Sequence, residues 1–198
     1  MKIAGVIVAG GRSSRMGGVE KLLAEIGGVS ILQRIVDRLA PQVAALAVNA
    51  NGEVLRFAST GLAVIPDRRA DVGTPLAGLH AALHWAKASG FDGVVTVPSD
   101  VPFLPRDLVT RLAAASQSAA IAASGGQDHY LTGLWSCFLL GALEDAITTE
   151  QMFRVKDWAK HAGAATVEWP VTPFDPFFNV NDWEDLAEAN RIAAELGA

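Results

Sequence analysis

The sequence predicts an α/β protein in which helices cover both faces of a mostly parallel central sheet. Short, continuously apolar runs such as residues 3–9 are followed by glycine or polar residues, which is typical of strands buried on both faces. Segments whose apolar residues recur at helical spacing lie between these runs. Because strands and helices alternate along the chain, the sheet is expected to be the middle layer of three.

The first elements follow one another closely. Residues 3–9 are expected to form a strand, and the glycine-rich segment after it a loop. Ser30 is a favourable N-cap residue, and apolar residues recur at helical spacing from Ile31 to Leu39. Pro41 ends that helix. These residues predict one unit of strand, loop and helix.

The same alternation continues to the end of the chain. Further strands are expected at residues 45–49, 62–65, 93–97, 119–123 and 131–136, and further helices at 76–88, 139–146 and 151–161. Pro105 is expected to open a helix, since proline is tolerated in the first turn. Asn181 and Glu184 have capping-box spacing at the start of the last helix.

Composition limits the organisation and the partners of the chain. With 198 residues, of which 51% are hydrophobic, and without a linker, low-complexity tract or internal repeat, we expect one domain over residues 1–198. The net charge of -5 gives no long-range attraction for nucleic acid or anionic membranes. The single cysteine, Cys137, excludes an internal disulfide, and no apolar run approaches the roughly 20 residues that span a bilayer. A cytoplasmic protein is expected.

The stretch IVAGGRSSRMGGVEK, residues 7–21, follows the first strand and concentrates glycine and basic residues. It fits neither the dinucleotide pattern G-x-G-x-x-G nor the P-loop pattern, because Gly18 is followed by Val19, Glu20 and Lys21. Glycines let the backbone approach a ligand, and basic and hydroxyl side chains donate hydrogen bonds to it. In an acidic protein this local bias indicates a polyphosphate. An ordinary surface loop with solvated arginines is the alternative. The donors are Arg12, Ser13, Ser14, Arg15 and Lys21.

This loop resembles the signature loop of nucleotidyltransferases that join a nucleoside triphosphate to a phosphorylated acceptor, and within them the molybdenum cofactor guanylyltransferases. Supporting motifs are NAN at 49–51, IPD at 65–67, PLAG at 75–78, VPSDVPFLP at 97–105 and FNVND at 178–182. There are two departures. Glu20 stands where the family commonly has aspartate, and Tyr130 follows His129 where the family commonly has proline.

The resemblance implies a three-layer, Rossmann-like nucleotidyltransferase fold and a specific reaction. GMP would pass from GTP to the terminal phosphate of molybdopterin, or of its molybdenum-bound form, with release of pyrophosphate. Mg²⁺ would be the required ion, since it suits oxygen ligands and substrate phosphates. Transient contacts with molybdenum cofactor delivery proteins are also implied.

Asp100 is the candidate metal ligand, because it is a carboxylate at the carboxyl end of a predicted strand, between Pro98 and Pro102. The resemblance implies that Arg15 and Lys21 contact the triphosphate and act with Asp100 in catalysis. It also implies that Asn179 and Asn181 lie on the acceptor or metal side. The residues implied to bind GTP are Val8, Ala9, Gly10, Gly11, Lys21, Asn49, Asp67 and Asp100.

Three other activities remain open from the residues. CTP could replace GTP with the same loop, lysine and metal ligand. A sugar-phosphate nucleotidyltransferase fits the length and the FNVND ending less well. A nucleotide-binding regulatory module without catalysis would be expected to have lost Arg15, Lys21 or Asp100.

His80 and His84 have the i, i+4 spacing of a metal pair, but the sequence shows no third ligand, so a packed or surface pair is preferred.

Overall fold

A computed structural model of the chain confirms the α/β class, with helices on both faces of a mostly parallel sheet. The structure describes residues 1–9, 15–16, 19–52, 57, 60–69 and 71–197, with the backbone alone at positions 15, 16, 19 and 20. Within these ranges no helix has both the length and the apolar character needed to cross a membrane.

The strands are β1 (Ile3–Val8), β2 (Arg15–Met16), β3 (Val19–Glu20), β4 (Glu25–Ile26), β5 (Val29–Ser30), β6 (Leu46–Asn49), β7 (Ala63–Ile65), β8 (Gly93–Pro98), β9 (Ala119–Ser124), β10 (Gln127–Ser136) and β11 (Ala165–Trp169). The helices are α1 (Ile31–Leu39), α2 (Pro75–Ala88), α3 (Leu108–Ala115), α4 (Leu140–Thr148), α5 (Val155–His161) and α6 (Trp183–Glu195).

The large sheet has the strand order β11-β9-β10-β8-β1-β6-β7. β1 pairs in parallel with β6 and β8, β6 with β7, and β9 with β11, whereas β10 runs antiparallel to both of its neighbours. The register places Val8 opposite both Asn49 and Pro98, so β1, β6 and β8 end side by side. The residues that directly follow these strands, Ala9, Ala50 and Ser99, therefore lie at one edge of the sheet.

Alternate residues of β1 point into two separate apolar layers. Ile7 packs in one layer with α1, α3 and α6, and Val6 packs in the other with α2, α4 and α5. Both residues are fully buried. This arrangement explains why β1 is continuously apolar, and it confirms the three-layer prediction.

The start of α1 agrees with the sequence. The Ser30 hydroxyl accepts a hydrogen bond from the Gln33 backbone N–H at 3.1 Å, which satisfies one of the unpaired donors of the first turn. The start of α3 differs from the prediction, because this helix begins at Leu108 and not at Pro105. The Pro105 carbonyl accepts from the Leu108 N–H at 3.3 Å in a turn ahead of the helix, and Asp107 takes the N-cap position.

The cap of α6 is shifted by one residue from the predicted one. Asp182, and not Asn181, is the N-cap, and its Oδ1 accepts from the N–H groups of Glu184 and Asp185 at 2.9 Å. The Asp185 carboxylate in turn accepts from the Asn181 N–H at 2.7 Å. Because Asp182 caps the helix, the Asn181 side chain is available for another contact.

Several elements were not expected from the sequence. β11 is an edge strand whose side chains alternate between partly buried and exposed positions before the buried Trp169, so it lacks the apolar run that marked the central strands. The two-residue strands β2 to β5 form two small hairpins. The helix predicted at residues 151–161 is shorter, since α5 begins at Val155.

Candidate active site

Three side chains from distant parts of the chain meet where β1 and β8 end. The Lys21 ammonium lies 3.1 Å from Asp100 Oδ2 and donates to Asn181 Oδ1 at 2.8 Å. The Lys21 side chain is 12% exposed and that of Asp100 is 25% exposed. Partial burial strengthens such a charge-assisted contact relative to one in open water. We call these three residues the Lys21 cluster.

The backbone of Asp100 is fixed by the segment that carries Asn181. The Val180 N–H donates to the Asp100 carbonyl at 2.9 Å, and the residues after Asp100, Val101 and Phe103, are buried in the core. Asp100 Oδ1 is itself buried, and it has no hydrogen-bond partner among the residues that the structure describes. An unpaired buried carboxylate oxygen is costly, so this atom suits a bound cation.

A second polar cluster lies on the other side of β1, where β6 and β7 end. The Asn49 side-chain amide donates to the Ile65 carbonyl at 3.1 Å and to Asp67 Oδ1 at 2.9 Å. Asn51 donates to Asp67 Oδ2 at 2.7 Å and accepts from the Asp67 N–H at 2.9 Å. Asn49 is fully buried, whereas Asp67 is partly exposed. The two asparagines therefore hold Asp67 in one orientation.

The glycine of the PLAG motif allows α2 to pack closely against this cluster. A Cβ atom at Gly78 would lie 2.5 Å from Asn49 Oδ1 and 2.6 Å from Val8 Cγ1. Real side chains do not approach so closely, and both neighbours are buried. Glycine is thus needed at position 78 because α2 packs so closely against β1 and β6. Its backbone conformation is not the reason.

The remaining predicted residues lie at the end of β1, ahead of α6, or outside the described part of the chain. Val8 and Ala9 are buried at the end of β1, and the Ala9 N–H donates to the Asn49 carbonyl at 2.8 Å. Asn179 is exposed, and none of the described contacts joins it to the Lys21 cluster. Gly10 and Gly11 lie outside the described residues. The backbone of Arg15 pairs with that of Glu20 between β2 and β3, and the position of the Arg15 side chain is outside the described part of the chain.

A third polar group lies at the same edge of the sheet, where the antiparallel strand β10 begins and β9 ends. His129 Nε2 is 2.7 Å from Ser124 Oγ, which donates to Asp175 Oδ1 at 2.8 Å. Burial lowers the pKa of His129 despite the nearby carboxylates. Tyr130, which departs from the family pattern, donates its hydroxyl to Asp128 at 2.8 Å.

The structure places a carboxylate beside His80 and His84, for which the sequence showed no third ligand. Glu144 of α4 lies beside both, with its Oε1 2.8 Å from His84 Nε2 and 3.7 Å from His80 Nε2. The helical spacing of the two histidines was visible in the sequence. The position of Glu144 was not, because it depends on how α4 packs against α2.

Comparison with known proteins agrees with the fold and with the motifs. The model of the MobA-like NTP transferase domain matches residues 5–165. A protein of Rhodopseudomonas palustris named molybdenum cofactor guanylyltransferase is 48% identical over 194 residues, which cover 95% of this chain and 92% of that protein. A protein of the same name from Rhodobacter capsulatus is 45% identical over 190 residues, 96% of this chain and 95% of that one.

A solved structure extends the comparison of the fold. The crystal structure of molybdopterin-guanine dinucleotide biosynthesis protein A from Archaeoglobus fulgidus superposes with a TM-score of 0.71 at 22% identity, covering 98% of this chain and all of that one. At that identity the likeness concerns the fold alone. The family match and the two curated relatives, however, span most of the chain. The chain belongs to the MobA-like NTP transferase family.

Proposed function

We propose that this chain is a molybdenum cofactor guanylyltransferase, which transfers GMP from GTP to the terminal phosphate of molybdopterin and releases pyrophosphate. The names of the full-length relatives support this activity. The observation that carries the proposal is the Lys21 cluster, in which a lysine of the glycine-rich loop meets a carboxylate at the sheet edge where an α/β fold binds its ligands.

The reaction requires positioning and charge stabilisation from the protein. An oxygen of the acceptor phosphate attacks the α-phosphorus of GTP, the bond from that phosphorus to the oxygen bridging to the β-phosphorus breaks, and pyrophosphate leaves. Both reactants are anions, so fixed positive charge where they meet lowers the barrier. The Lys21 ammonium supplies such a charge. Arg15 belongs to the same loop, and we propose a second contact with the triphosphate for it.

The Lys21 cluster also fits a magnesium ion. Asp100 Oδ1 is a buried carboxylate oxygen without a described partner, and Asn181 Oδ1 is a second oxygen close by. Oxygen donors of this kind, completed by substrate phosphates, are those that Mg²⁺ prefers. When bound, the ion would neutralise phosphate charge. Asp100 would be its main protein ligand, and Lys21 would be free to turn from Asp100 towards the triphosphate.

We place the base and ribose of GTP beside the ends of β1 and β6. The backbone groups of Val8, Ala9, Gly10 and Gly11 would lie along the nucleotide, as the resemblance implies. Asp67, partly exposed and held by two asparagines, is suited to accept hydrogen bonds from a ribose. In this proposal Asn49 acts by positioning Asp67, since its own side chain is fully buried.

We place the acceptor on the side of the Lys21 cluster that is away from the nucleotide, near the segment that precedes α6. Asn179 is exposed there, and Asn181 contacts Lys21.

We also propose a cytoplasmic location and transient contacts with the proteins that use the cofactor. Cys137 is buried, and burial raises the pKa of its thiol, so this cysteine is expected to be unreactive.

A transfer assay with two donors tests the proposed function. The purified chain would be incubated with molybdopterin, Mg²⁺ and either GTP or CTP, and the dinucleotide product would be identified by mass. We expect GTP to be preferred by at least about 100-fold, because a site that hydrogen-bonds one base leaves its polar groups unpaired with another. Preference for CTP would replace the proposal with a cytidylyltransferase. Binding of nucleotide without transfer would indicate a regulatory module.

A further inference from the structure

We propose that His80, His84 and Glu144 form a metal site of the zinc class, separate from the magnesium site at Asp100. His80 and His84 lie one turn apart on α2, and Glu144 reaches them from α4. Nothing in the proposed transfer reaction uses these three residues. We call them the α2–α4 site.

The ligand atoms have the separations that a small cation requires. Oε1 of Glu144 lies 2.8 Å from His84 Nε2 and 3.7 Å from His80 Nε2, and one ligand atom from each residue lies within 4.8 Å of the other two. Zinc bonds nitrogen and oxygen at 2.0–2.1 Å in tetrahedral geometry, which places neighbouring ligand atoms about 3.3 Å apart. Small side-chain rotations therefore bring the three atoms into place.

An ordinary ion pair does not explain the whole arrangement. It accounts for the contact between His84 and Glu144, but His80 Nε2 is too far from the carboxylate for a good hydrogen bond. The His80 side chain is 4% exposed, and its Nδ1 has no hydrogen-bond partner among the described residues. What points to an ion is the other ring nitrogen, since His80 Nε2 faces the Glu144 carboxylate across 3.7 Å, a gap that a bridging cation can fill.

The donor types select the ion. Two imidazole nitrogens and one carboxylate oxygen suit zinc and its first-row neighbours, whereas magnesium prefers oxygen donors alone. The site is also accessible, since His84 and Glu144 are 25% and 45% exposed. The three residues border a cavity of about 430 Å³, which leaves room for a fourth ligand from solvent.

The surrounding charges are compatible with a dication. Arg68 and Arg69 also line the cavity, but the Arg69 guanidinium is engaged by the Asp71 carboxylate at 2.9 and 2.7 Å. Arg68 is exposed to solvent, which screens its charge. Lys87 borders the neighbouring cavity on the side of His84. The positive charges of Arg68 and Lys87 favour an anion, or else water, as the fourth ligand.

The α2–α4 site would join two helices of one layer. The same helix α2 carries Gly78 against Asn49 and Val8. A metal bound between α2 and α4 would therefore restrict the movement of α2, the helix that packs against the residues proposed to bind the nucleotide. It would contribute to stability without entering the transfer reaction.

Calorimetric titration with zinc chloride tests the site. The tag-free chain, stripped by a chelator, would be titrated without magnesium or nucleotide. We expect one zinc ion to bind. His84→Asn and Glu144→Gln should weaken binding by more than the roughly 10- to 100-fold loss that removal of a mere supporting residue causes. Both residues are partly exposed, so both variants should fold, whereas a substitution of buried His80 is less informative.

His161→Asn is the matched control. His161 Nδ1 lies 3.6 Å from Glu150 Oε2, another histidine and glutamate pair, but no third ligand joins it within the described part of the chain. This variant should bind zinc as the wild type does. Cobalt(II) added in place of zinc should give the intense visible bands of a tetrahedral site, and these bands should be absent in His84→Asn.

Three results would overturn the site: no zinc binding by the wild-type chain, equal binding by Glu144→Gln, or octahedral cobalt spectra. Because the titration contains no nucleotide, its outcome is independent of the guanylyltransferase activity. Lys21→Ala should retain zinc binding even where transfer is lost, so the two proposals fail separately.

Discussion

The Lys21 ammonium lies 3.1 Å from an Asp100 carboxylate oxygen, although 79 residues separate the two in sequence. One residue ends the glycine-rich loop and the other follows β8, and the parallel pairing of β1 with β8 brings them to the same edge. This contact between a cation and a carboxylate links the glycine-rich loop to the proposed metal ligand.

Lys21→Ala should lower turnover of the transfer reaction by about 10²- to 10³-fold, the usual effect of removing one contact to transition-state charge. Steady-state pyrophosphate release measures this. The circular dichroism spectrum should not change. Lys160→Ala removes an exposed lysine of α5 and should leave turnover intact. Turnover of Lys21→Ala within a few-fold of the wild type would exclude the proposed role of the loop.

Gly78→Ala should destabilise the protein by about 1–3 kcal/mol, the usual cost of overpacking a well-packed core. The added Cβ would meet Asn49 and Val8 at 2.5 and 2.6 Å, so α2 must move away from the strands. Denaturant unfolding measures the free energy, and a raised KM for GTP should accompany the loss.

Gly141→Ala is the control for that substitution. Gly141 lies in α4, and a Cβ there would meet no atom within 4 Å among the described residues. Replacing a helical glycine by alanine in open space should stabilise the protein by roughly 0.5–1 kcal/mol. Equal stability of Gly78→Ala and Gly141→Ala would show that a Cβ atom at Gly78 does not clash with Asn49 and Val8.

The free energy of unfolding should decrease as the pH falls from 7 to 5, because His129 is protonated more readily in the unfolded chain than in the folded one. Burial lowers the pKa of His129 below 6.5, and this outweighs the opposing effect of Asp175, Asp128 and Glu168. The unfolded chain therefore takes up this proton first, near pH 6.5. Stability is unaffected above that pH and falls below it, until the folded state is protonated as well.

Unfolding of the wild type and of His129→Gln at several pH values measures this effect. Glutamine retains a donor for Ser124, so the two proteins should have similar stability at pH 8. The decline towards pH 5 should be smaller in His129→Gln. An identical decline in the two proteins would show that His129 does not carry the effect.

Local patterns were enough to predict most of the fold. The apolar run of β1 and the Ser30 cap of α1 follow from burial on both faces and from hydrogen bonding within one turn, and both are visible in a few residues. β11 was not predicted because it is an edge strand with one neighbour, so its exposed side chains interrupt the apolar run that marks a buried strand. The cap of α6 was misplaced because Asn181 and Asp182 are both good N-cap residues, and only the three-dimensional contacts distinguish them.

The candidate site was less predictable, because its contacts join residues far apart in the chain. The motifs located Lys21, Asp100 and Asn181 separately, but not the hydrogen bonds between them. Asn49 was expected at the nucleotide, and the motif did not show that its side chain is fully buried and donates to Asp67. Such distinctions depend on the packing of helices against the sheet, which local sequence does not encode.

The proposed function and metal site are tested most directly by GMP transfer from GTP to molybdopterin, measured for the wild type and for Asp100→Asn over a range of Mg²⁺ concentrations. Asp92→Asn, at the opposite end of β8, is the control. We expect transfer by the wild type and by the control. In Asp100→Asn, transfer should fall by at least about 100-fold and require more Mg²⁺, because a carboxylate ligand is lost. Transfer by Asp100→Asn within a few-fold of the wild type, with the same dependence on Mg²⁺, would contradict the proposed role of Asp100.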